Sequence, residues 1–406
     1  MAYHLFEVFG IELEYMVVTT TDLKVSPIVD KLLSAKHGSI TSDVDNGAIE
    51  WSNELVAHVV EMKTNGPTDQ LDSLSDVFHK NVVEMNQLLE KFDAVLLPTA
   101  SHPLMDPKTE MKLWQHSYSK IYALYNRVFN CNGHGWSNVQ SMHINLPFSN
   151  DVEFEKLHAA IRVLLPIIPA LSASSPIFEG KFTGFKDTRM EVYKTNQKEI
   201  PAMTGKVIPE QVFTKEAYDK KIFNPINSAI KPYDTENILD HHFLNSRGAI
   251  ARFDRNAIEI RVIDIQECPK ADIAIAVLVI EVLKKLVAEA YTSLEDQKSW
   301  YEDDLLAILN SVIKDGETAQ VENLEYVKLF GLNHYATAQQ IWTKLYRDVS
   351  ANISQQYRET MEIILQEGTL STRILSALDG DFNENSIKRV YRELATCLQN
   401  NNLFVP

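Results

Sequence analysis

The sequence predicts an α+β protein in which an antiparallel sheet precedes a helical C-terminal part. Strand-like alternation is concentrated before about residue 265, and helical periodicity with few glycines or prolines dominates from Lys270 to the end. Hydrophobic residues at 45% against 23% charged leave ample apolar material for a core. At 406 residues the chain exceeds one small domain. We divide it into a core, residues 1–300, and a helical extension, residues 301–406, packed on that core.

Residues 8–17 alternate as a strand, with Phe9, Ile11, Leu13, Tyr15 and Val17 on one face and Glu12 and Glu14 on the other. Two carboxylates at i and i+2 repel each other and resist burial unless a cation or basic side chains oppose them. That face is therefore either the solvated outside of a sheet or a cation site. Residues 53–64 place Glu54 at the start and Glu61 at the end of a second strand-like run. On one strand these two would face opposite ways, so a shared site requires Glu54 in the preceding loop. His58, between them, reads as a packed or exposed strand histidine.

Residues 72–92 read as a helix, followed by an apolar strand at 94–97 that Pro98 stops. Residues 141–147 put His143 and Asn145 on one face and Met142, Ile144 and Leu146 on the other; residues 154–171 form a helix ended near prolines. Residues 174–209 mix glycines, prolines, charges and aromatics without periodicity, as an ordered substrate loop and a disordered insert would both do. His241 and His242 beside Phe243 read as loop or packing residues. Residues 258–263 pair Glu259 with Arg261 on one face while Ile258, Ile260 and Val262 pack behind. The apolar run 273–286 is interrupted by Glu281, Lys284 and Lys285 and is shorter than the ~20 residues of a membrane span, so it reads as a buried helix.

A net charge of −16 with scattered basic residues argues against nucleic acid as a partner, although metal ions can carry the phosphates of a nucleotide. Cys131, Cys268 and Cys397 lie far apart without C-x-x-C spacing, which indicates neither a zinc site nor a disulfide framework and fits a reducing cytoplasm. The N-terminal residues lack the basic and long apolar regions of a secretion signal.

Four strand-like segments thus offer polar faces of acid, amide, imidazole or guanidinium. Curling a sheet around them would make a funnel lined by oxygen ligands. Carboxylates with one imidazole suit Mg²⁺ or Mn²⁺ better than zinc, and magnesium so bound keeps positions open for phosphate oxygens. ATP is the natural partner, held by metal and arginine, since no G-x-x-x-x-G-K-[ST] or strand-linked G-x-G-x-x-G is present.

With these residues the chain resembles the glutamate-cysteine ligase family, in particular its bacterial carboxylate-amine ligase branch, over roughly residues 5–290. The motifs occur in order: Gly10-Ile11-Glu12-Leu13-Glu14; Glu54 through Thr64 with Gly66-Pro67; Met142-His143-Ile144-Asn145; and Arg252 with Glu259-Ile260-Arg261-Val262-Ile263-Asp264. Ser174-Ser175-Pro176-Ile177-Phe178-Glu179-Gly180, with Gly184 and Arg189, is similar to the family's substrate-side loop. The resemblance implies a glutamine synthetase-like fold, a curved antiparallel sheet with helices on its outer side. It implies that Glu12, Glu54 and Glu61 hold one metal and Glu14, His143 and Glu259 another. Arg261 would lie near the phosphates with Arg252 and Asn145 at the nucleotide, and Arg189 would meet a substrate carboxylate or phosphate oxygen. His143 would be a ligand or a donor to phosphate.

The activity so implied is ATP-dependent joining of a carboxylate, such as that of glutamate, to an amine such as cysteine through an acyl phosphate, with a place in glutathione biosynthesis. The helices after Lys270 offer surfaces for self-association into a homo-oligomer. Competing readings are an ATP:guanidino phosphotransferase, which also uses acids and arginines on a curved sheet, and a metal- or nucleotide-binding relative without catalysis. No Ser-His-Asp or Cys-His arrangement suggests a hydrolase.

Overall fold

The alternation at the start of the chain becomes β1 (Gly10–Thr19), with Ile11, Leu13, Tyr15 and Val17 wholly buried on one face. In the computed structural model, which describes residues 3–239 and 241–406, β1 lies inside an eight-stranded sheet. The side chains of His241 and His242, expected in loop or packing roles, fall outside the described residues.

The other strands are β2 (Asp43–Asn46), β3 (Ile49–Asn53), β4 (Val59–Thr64), β5 (Ala94–Leu97), β6 (Ser141–Pro147), β7 (Ala249–Arg252) and β8 (Ala257–Asp264). They run in the order β2-β3-β4-β1-β6-β8-β7, every neighbour antiparallel. β5 pairs with the second half of β1, from Met16 to Thr19, beyond the stretch from Gly10 to Leu13 that pairs with β6.

On the side away from the acids the strands turn their apolar residues toward the helices. Trp51, Val60, Met62, Met142, Ile144, Leu146, Ile258 and Ile260 join the apolar set of β1 in one core. Each such side chain taken out of water contributes about 1.5–3 kcal/mol, which fixes the register, since a slip by one residue would turn the acids toward the helices.

The helices that matter here are α1 (Leu71–Leu89), α2 (Ser119–Phe129), α3 (Asp151–Leu164), α4 (Pro269–Val287), α5 (Ala338–Val349), α6 (Gln355–Glu367), α7 (Leu370–Leu378) and α8 (Glu384–Asn400). α4 contains the apolar run of the sequence and is buried on almost every side, packed by α1, α3, α5 and α6. No helix among the described residues is long and apolar enough to cross a membrane. Of the helices beyond residue 300, α5 and α6 share the core beneath the sheet, where Ile341, Trp342, Leu345, Tyr357 and Met361 belong to the same cluster as Ile11 and Leu13 of β1, whereas α7 and α8 build a second cluster with Met16 and Val18 of β1 and Leu97 of β5.

Candidate functional site

The opposite face of the sheet collects the polar residues, and the strand register decides who meets whom. Glu12 stands across from Lys63 on β4 and from His143 on β6; Glu14 stands across from Glu61. Ser52 pairs in register with Glu61, Glu50 with Lys63, and Asn145 with Glu259. Gly10 lies opposite Asn145, where an added Cβ would stand 3.0 Å from the Asn145 Cβ, so the close approach of β1 and β6 at this point favours glycine.

His143 is the centre. Its Nδ1 lies 2.7 Å from Glu12 Oε2 and 3.6 Å from Glu259 Oε1, and its Nε2 lies 2.9 Å from Ser141 Oγ. The Ser141 backbone N–H and hydroxyl both donate to Glu14 Oε2, at 2.7 and 3.1 Å, while Asn145 Nδ2 donates to Glu12 Oε1 at 3.0 Å. Ligand atoms of Glu12, His143 and Glu259 all lie within 4.8 Å of one another, and so do those of Glu14, Glu61 and His143. β4 and β6 are two strand spacings apart, about 10 Å in a flat sheet. Long glutamate side chains on a concave face close that gap.

The grouping differs from the expected division of ligands. Glu12 goes with Glu259 rather than with Glu61, because Glu12 and His143 are register partners and β8 is the next strand; Glu61 goes with Glu14, its own partner across β4. Glu54 lies in the turn between β3 and β4, half-buried, close enough to Glu14 and Glu61 to feel both charges. Burial first, and then those two carboxylates, push its pKa well above the usual carboxylate range. The Tyr122 hydroxyl on α2 accepts from Asn53 Nδ2 at 3.2 Å beside it.

Electrostatics split the carboxylates. Burial opposes ionisation of Glu12, but the hydrogen bond and charge of His143, with Arg261 and Asn145, outweigh it and lower the pKa to about 2. Glu61 is pushed up to about 7 by burial and by Glu12 and Glu14, against Lys63 and Ser52. Burial disfavours the charged imidazole of His143, yet Glu12 raises its pKa above the ordinary value. Lys63 Nζ lies 3.1 Å from Glu50 and 3.2 Å from Glu61 and donates to Ser52 Oγ at 3.0 Å.

At β8 the ladder to β6 is irregular between Ile260 and Ile263, a bulge that bends the strand and re-aims Arg261. Arg261 Nε comes to 2.9 Å from Glu259 Oε1 but off the axis of a hydrogen bond, leaving that N–H without an aligned acceptor. Arg252 Nη1 is 3.8 Å from Glu259 Oε2, and Arg252 also pairs with Asp254 at 3.1 Å.

Arg189, expected to meet a substrate carboxylate or phosphate oxygen, makes its contacts within the chain at the end of β8. Its buried Nε lies 2.5 Å from Asp264 Oδ1 at the end of β8, and its Nη2 donates to the Arg261 carbonyl at 3.2 Å. Asp264 Oδ2 accepts from the Ser174 N–H and the Ser175 hydroxyl, at 2.9 and 2.8 Å. The irregular stretch is therefore ordered, with a short hairpin and a short helix, Thr188–Tyr193, that carries Arg189 and is tied by it to the end of β8. His58 is buried, its Nε2 2.8 Å from the Ser137 carbonyl.

Sequence reasoning missed Lys63, Ser52, Ser141 and Tyr122. For the first three a signal existed: Lys63 is two residues after Glu61, Ser141 two before His143, and Ser52 two after Glu50, so strand alternation carries them to the polar face.

The donor set fits a divalent cation of the magnesium type: carboxylates and one imidazole, largely buried, with acids in excess of the cations among them. Two cavities lie away from the acidic face. One of about 530 Å³ is bounded by Lys215, Asp219, Phe223 and Phe253, and another of about 530 Å³ by Lys285, Tyr291 and Lys344.

Residues 8–393 match the family model described as glutamate-cysteine ligase family 2. A protein of Archaeoglobus fulgidus, described only as uncharacterized, is 32% identical over 380 residues, 93% of this chain and 95% of that one. A provisionally named glutamate-cysteine ligase 2 from Bradyrhizobium is 25% identical over 278 residues, 66% of this chain but 59% of the relative's own length. Among solved structures, a glutamate-cysteine ligase from Francisella tularensis in complex with AMP matches at 14% identity with a TM-score of 0.65, over 96% of this chain and 88% of that one. A bifunctional glutathione synthetase from Pasteurella multocida matches at 13% identity with a TM-score of 0.64, over 98% of this chain and 53% of that one. At such identities the likeness carries the fold, and the expected α+β class with its curved antiparallel sheet and helical C-terminal part holds.

Proposed function

Because the chain belongs to glutamate-cysteine ligase family 2, we propose that it is an ATP-dependent ligase that joins the side-chain carboxylate of glutamate, or a similar acid, to an amine such as cysteine. One observation carries the reading: acids from β1, β4 and β8 converge on His143 with more negative charge than the neighbouring side chains balance. A triphosphate with divalent cations supplies what that arrangement lacks.

In this reading Glu12, Glu14, Glu54, Glu61, His143 and Glu259 hold Mg²⁺ or Mn²⁺. Such cations, when bound, neutralise phosphate oxygens and favour phosphoryl transfer. The residues of the chain do the rest. Arg261, whose Nε–H has no aligned acceptor, and Arg252 beside it meet phosphate oxygens. Asn145 and Ser141 orient Glu12 and Glu14, and Arg189 holds the substrate-side loop on Asp264. The γ-phosphoryl group passes from ATP to the carboxylate oxygen as its bond to the bridging oxygen breaks, giving ADP and an acyl phosphate. The unprotonated amine then attacks the acyl carbon, phosphate leaves, and the amide forms as the nitrogen loses a proton. Positioning and charge neutralisation suffice for both steps.

We assign this chemistry to residues 1–300, with 301–406 as the helical support, and place the protein in a reducing cytoplasm, which its free Cys131, Cys268 and Cys397 tolerate. The test is product analysis. With glutamate, cysteine, ATP and Mg²⁺, equal amounts of ADP and free phosphate with a γ-glutamyl amide are expected. ADP with a phosphorylated guanidine and no free phosphate points to the phosphotransferase instead, and nucleotide binding without ADP release from any amino-acid pair points to a non-catalytic relative.

A further inference from the structure

Phe243 stands in water. It is 63% exposed, although a phenyl ring gains about 1.5–3 kcal/mol from burial. Single exposed rings are common on protein surfaces, so position has to decide. The segment that carries Phe243 leads into β7, and its backbone is pinned, because the Tyr125 hydroxyl on α2 donates to the Phe243 carbonyl at 3.3 Å. Tyr125 is itself packed against Phe129 and Trp136, ring centroids 5.6 Å away in each case. The ring is thus presented by an anchored backbone.

Behind it stands Arg252, its guanidinium 5.0 Å from the ring centroid. The other side of Arg252 faces the acids, with Nη1 3.8 Å from Glu259 Oε2. Glu259 in turn shares the cation cluster with Glu12 and His143. Going inward from solvent the order is aromatic ring, guanidinium, carboxylates. A nucleoside triphosphate with bound cations has the matching order: a flat base, a chain of phosphate oxygens, and metal at the far phosphates. A cation behind an aromatic ring and a base in front of it both attract the ring face. The sequence also offers no glycine-rich phosphate loop, so contacts from side chains have to hold the nucleotide.

We propose that Phe243, backed by Arg252, is the platform on which the purine ring of the nucleotide stacks. This rests on the ligase reading and adds the base subsite to it. Stacking of this kind reads the π-face rather than the base edge, so adenine and guanine nucleotides bind with similar affinity through it.

The test is calorimetric binding, in the presence of Mg²⁺, of ADP, GDP and inorganic tripolyphosphate, which lacks a base. Phe243→Ala is expected to weaken ADP and GDP by about tenfold or more and to leave tripolyphosphate unchanged. Phe243→Trp is expected to retain nucleotide affinity, whereas Phe243→Leu, which keeps apolar bulk without a ring, behaves as the alanine variant. A thermal melt confirms that each variant is folded, and if Phe243→Ala is not, the Leu and Trp pair carries the comparison. If wild type binds ADP and folded Phe243→Ala or Phe243→Leu binds it equally well, or if ADP and tripolyphosphate weaken together, the platform is wrong while the ligase reading stands. If wild type binds neither ADP nor tripolyphosphate, both fall.

Discussion

Arg373 on α7 and Glu267 just before α4 are both out of solvent and complete each other. The guanidinium takes both carboxylate oxygens of Glu267 and the Phe404 carbonyl, and the Phe404 N–H donates back to Glu267 at 3.2 Å. Every charge there has its partner, and the pair fixes the last residues of the chain to the core. The inner face of the sheet is built on the opposite plan. Glu12, Glu14, Glu50, Glu54, Glu61 and Glu259 outnumber Lys63, Arg252 and Arg261, and His143 is shared between two groups of acids. A balanced buried pair supports structure; an unbalanced one is tolerable only with something added. The difference separates scaffold from site without reference to any relative.

The contrast can be broken first at the closed pair. Arg373→Ala leaves Glu267 buried and unpaired and is expected to destabilise the protein by about 3–5 kcal/mol, read by denaturant unfolding, with the same loss whether or not Mg²⁺ is present. The acidic face should respond to pH instead. Glu61 rises from 4.5 to about 7 on folding, so its contribution is fully present below the unfolded value and is lost as pH rises through about 7. Unfolding in chelator should show stability falling by on the order of 3 kcal/mol between pH 5 and pH 8, and Glu61→Gln should flatten that slope. Glu12, lowered to about 2, acts oppositely: its contribution is present above the unfolded value and is lost only as pH falls toward 2.

A smaller expected effect, though the larger one for function, is on turnover. Glu14→Gln should reduce ATP turnover by on the order of a hundredfold while leaving stability in chelator equal or higher, the reverse of the Arg373 result. Finest is Ser141→Ala, which removes a hydroxyl from Glu14 and His143 but keeps the backbone N–H. It is expected to weaken divalent-cation binding by about tenfold to a hundredfold, with a melting temperature in chelator close to wild type.

The two regions also differ in how much the sequence discloses. Alternation in β1, β6 and β8 was enough to put Glu12, Glu14, His143, Asn145, Glu259 and Arg261 on one side and the apolar residues on the other, because one face of each strand is buried and the period is two. β2 and β7 are four residues each, one of them largely polar, and periodicity needs more length than that to speak. The grouping of acids escaped as well, since it follows from strand order: β8 lies beside β6 and β4 beside β1, which no local pattern encodes. Arg189 and Asp264 meet across a sequence separation that spacing cannot reveal, so the part Arg189 takes in fastening its segment to the end of β8 is not legible from the local sequence. Arg373 and Glu267 were invisible for the same reason.

The proposed chemistry requires the acidic face to take divalent cations. Mn²⁺ titration at pH 8, followed by its electron paramagnetic resonance signal in wild type and in Glu12→Gln, addresses that without substrate or turnover. Saturable binding to wild type is expected, weakened strongly by Glu12→Gln and displaced by Mg²⁺. Equal Mn²⁺ binding by the two proteins, or none by wild type, would contradict it.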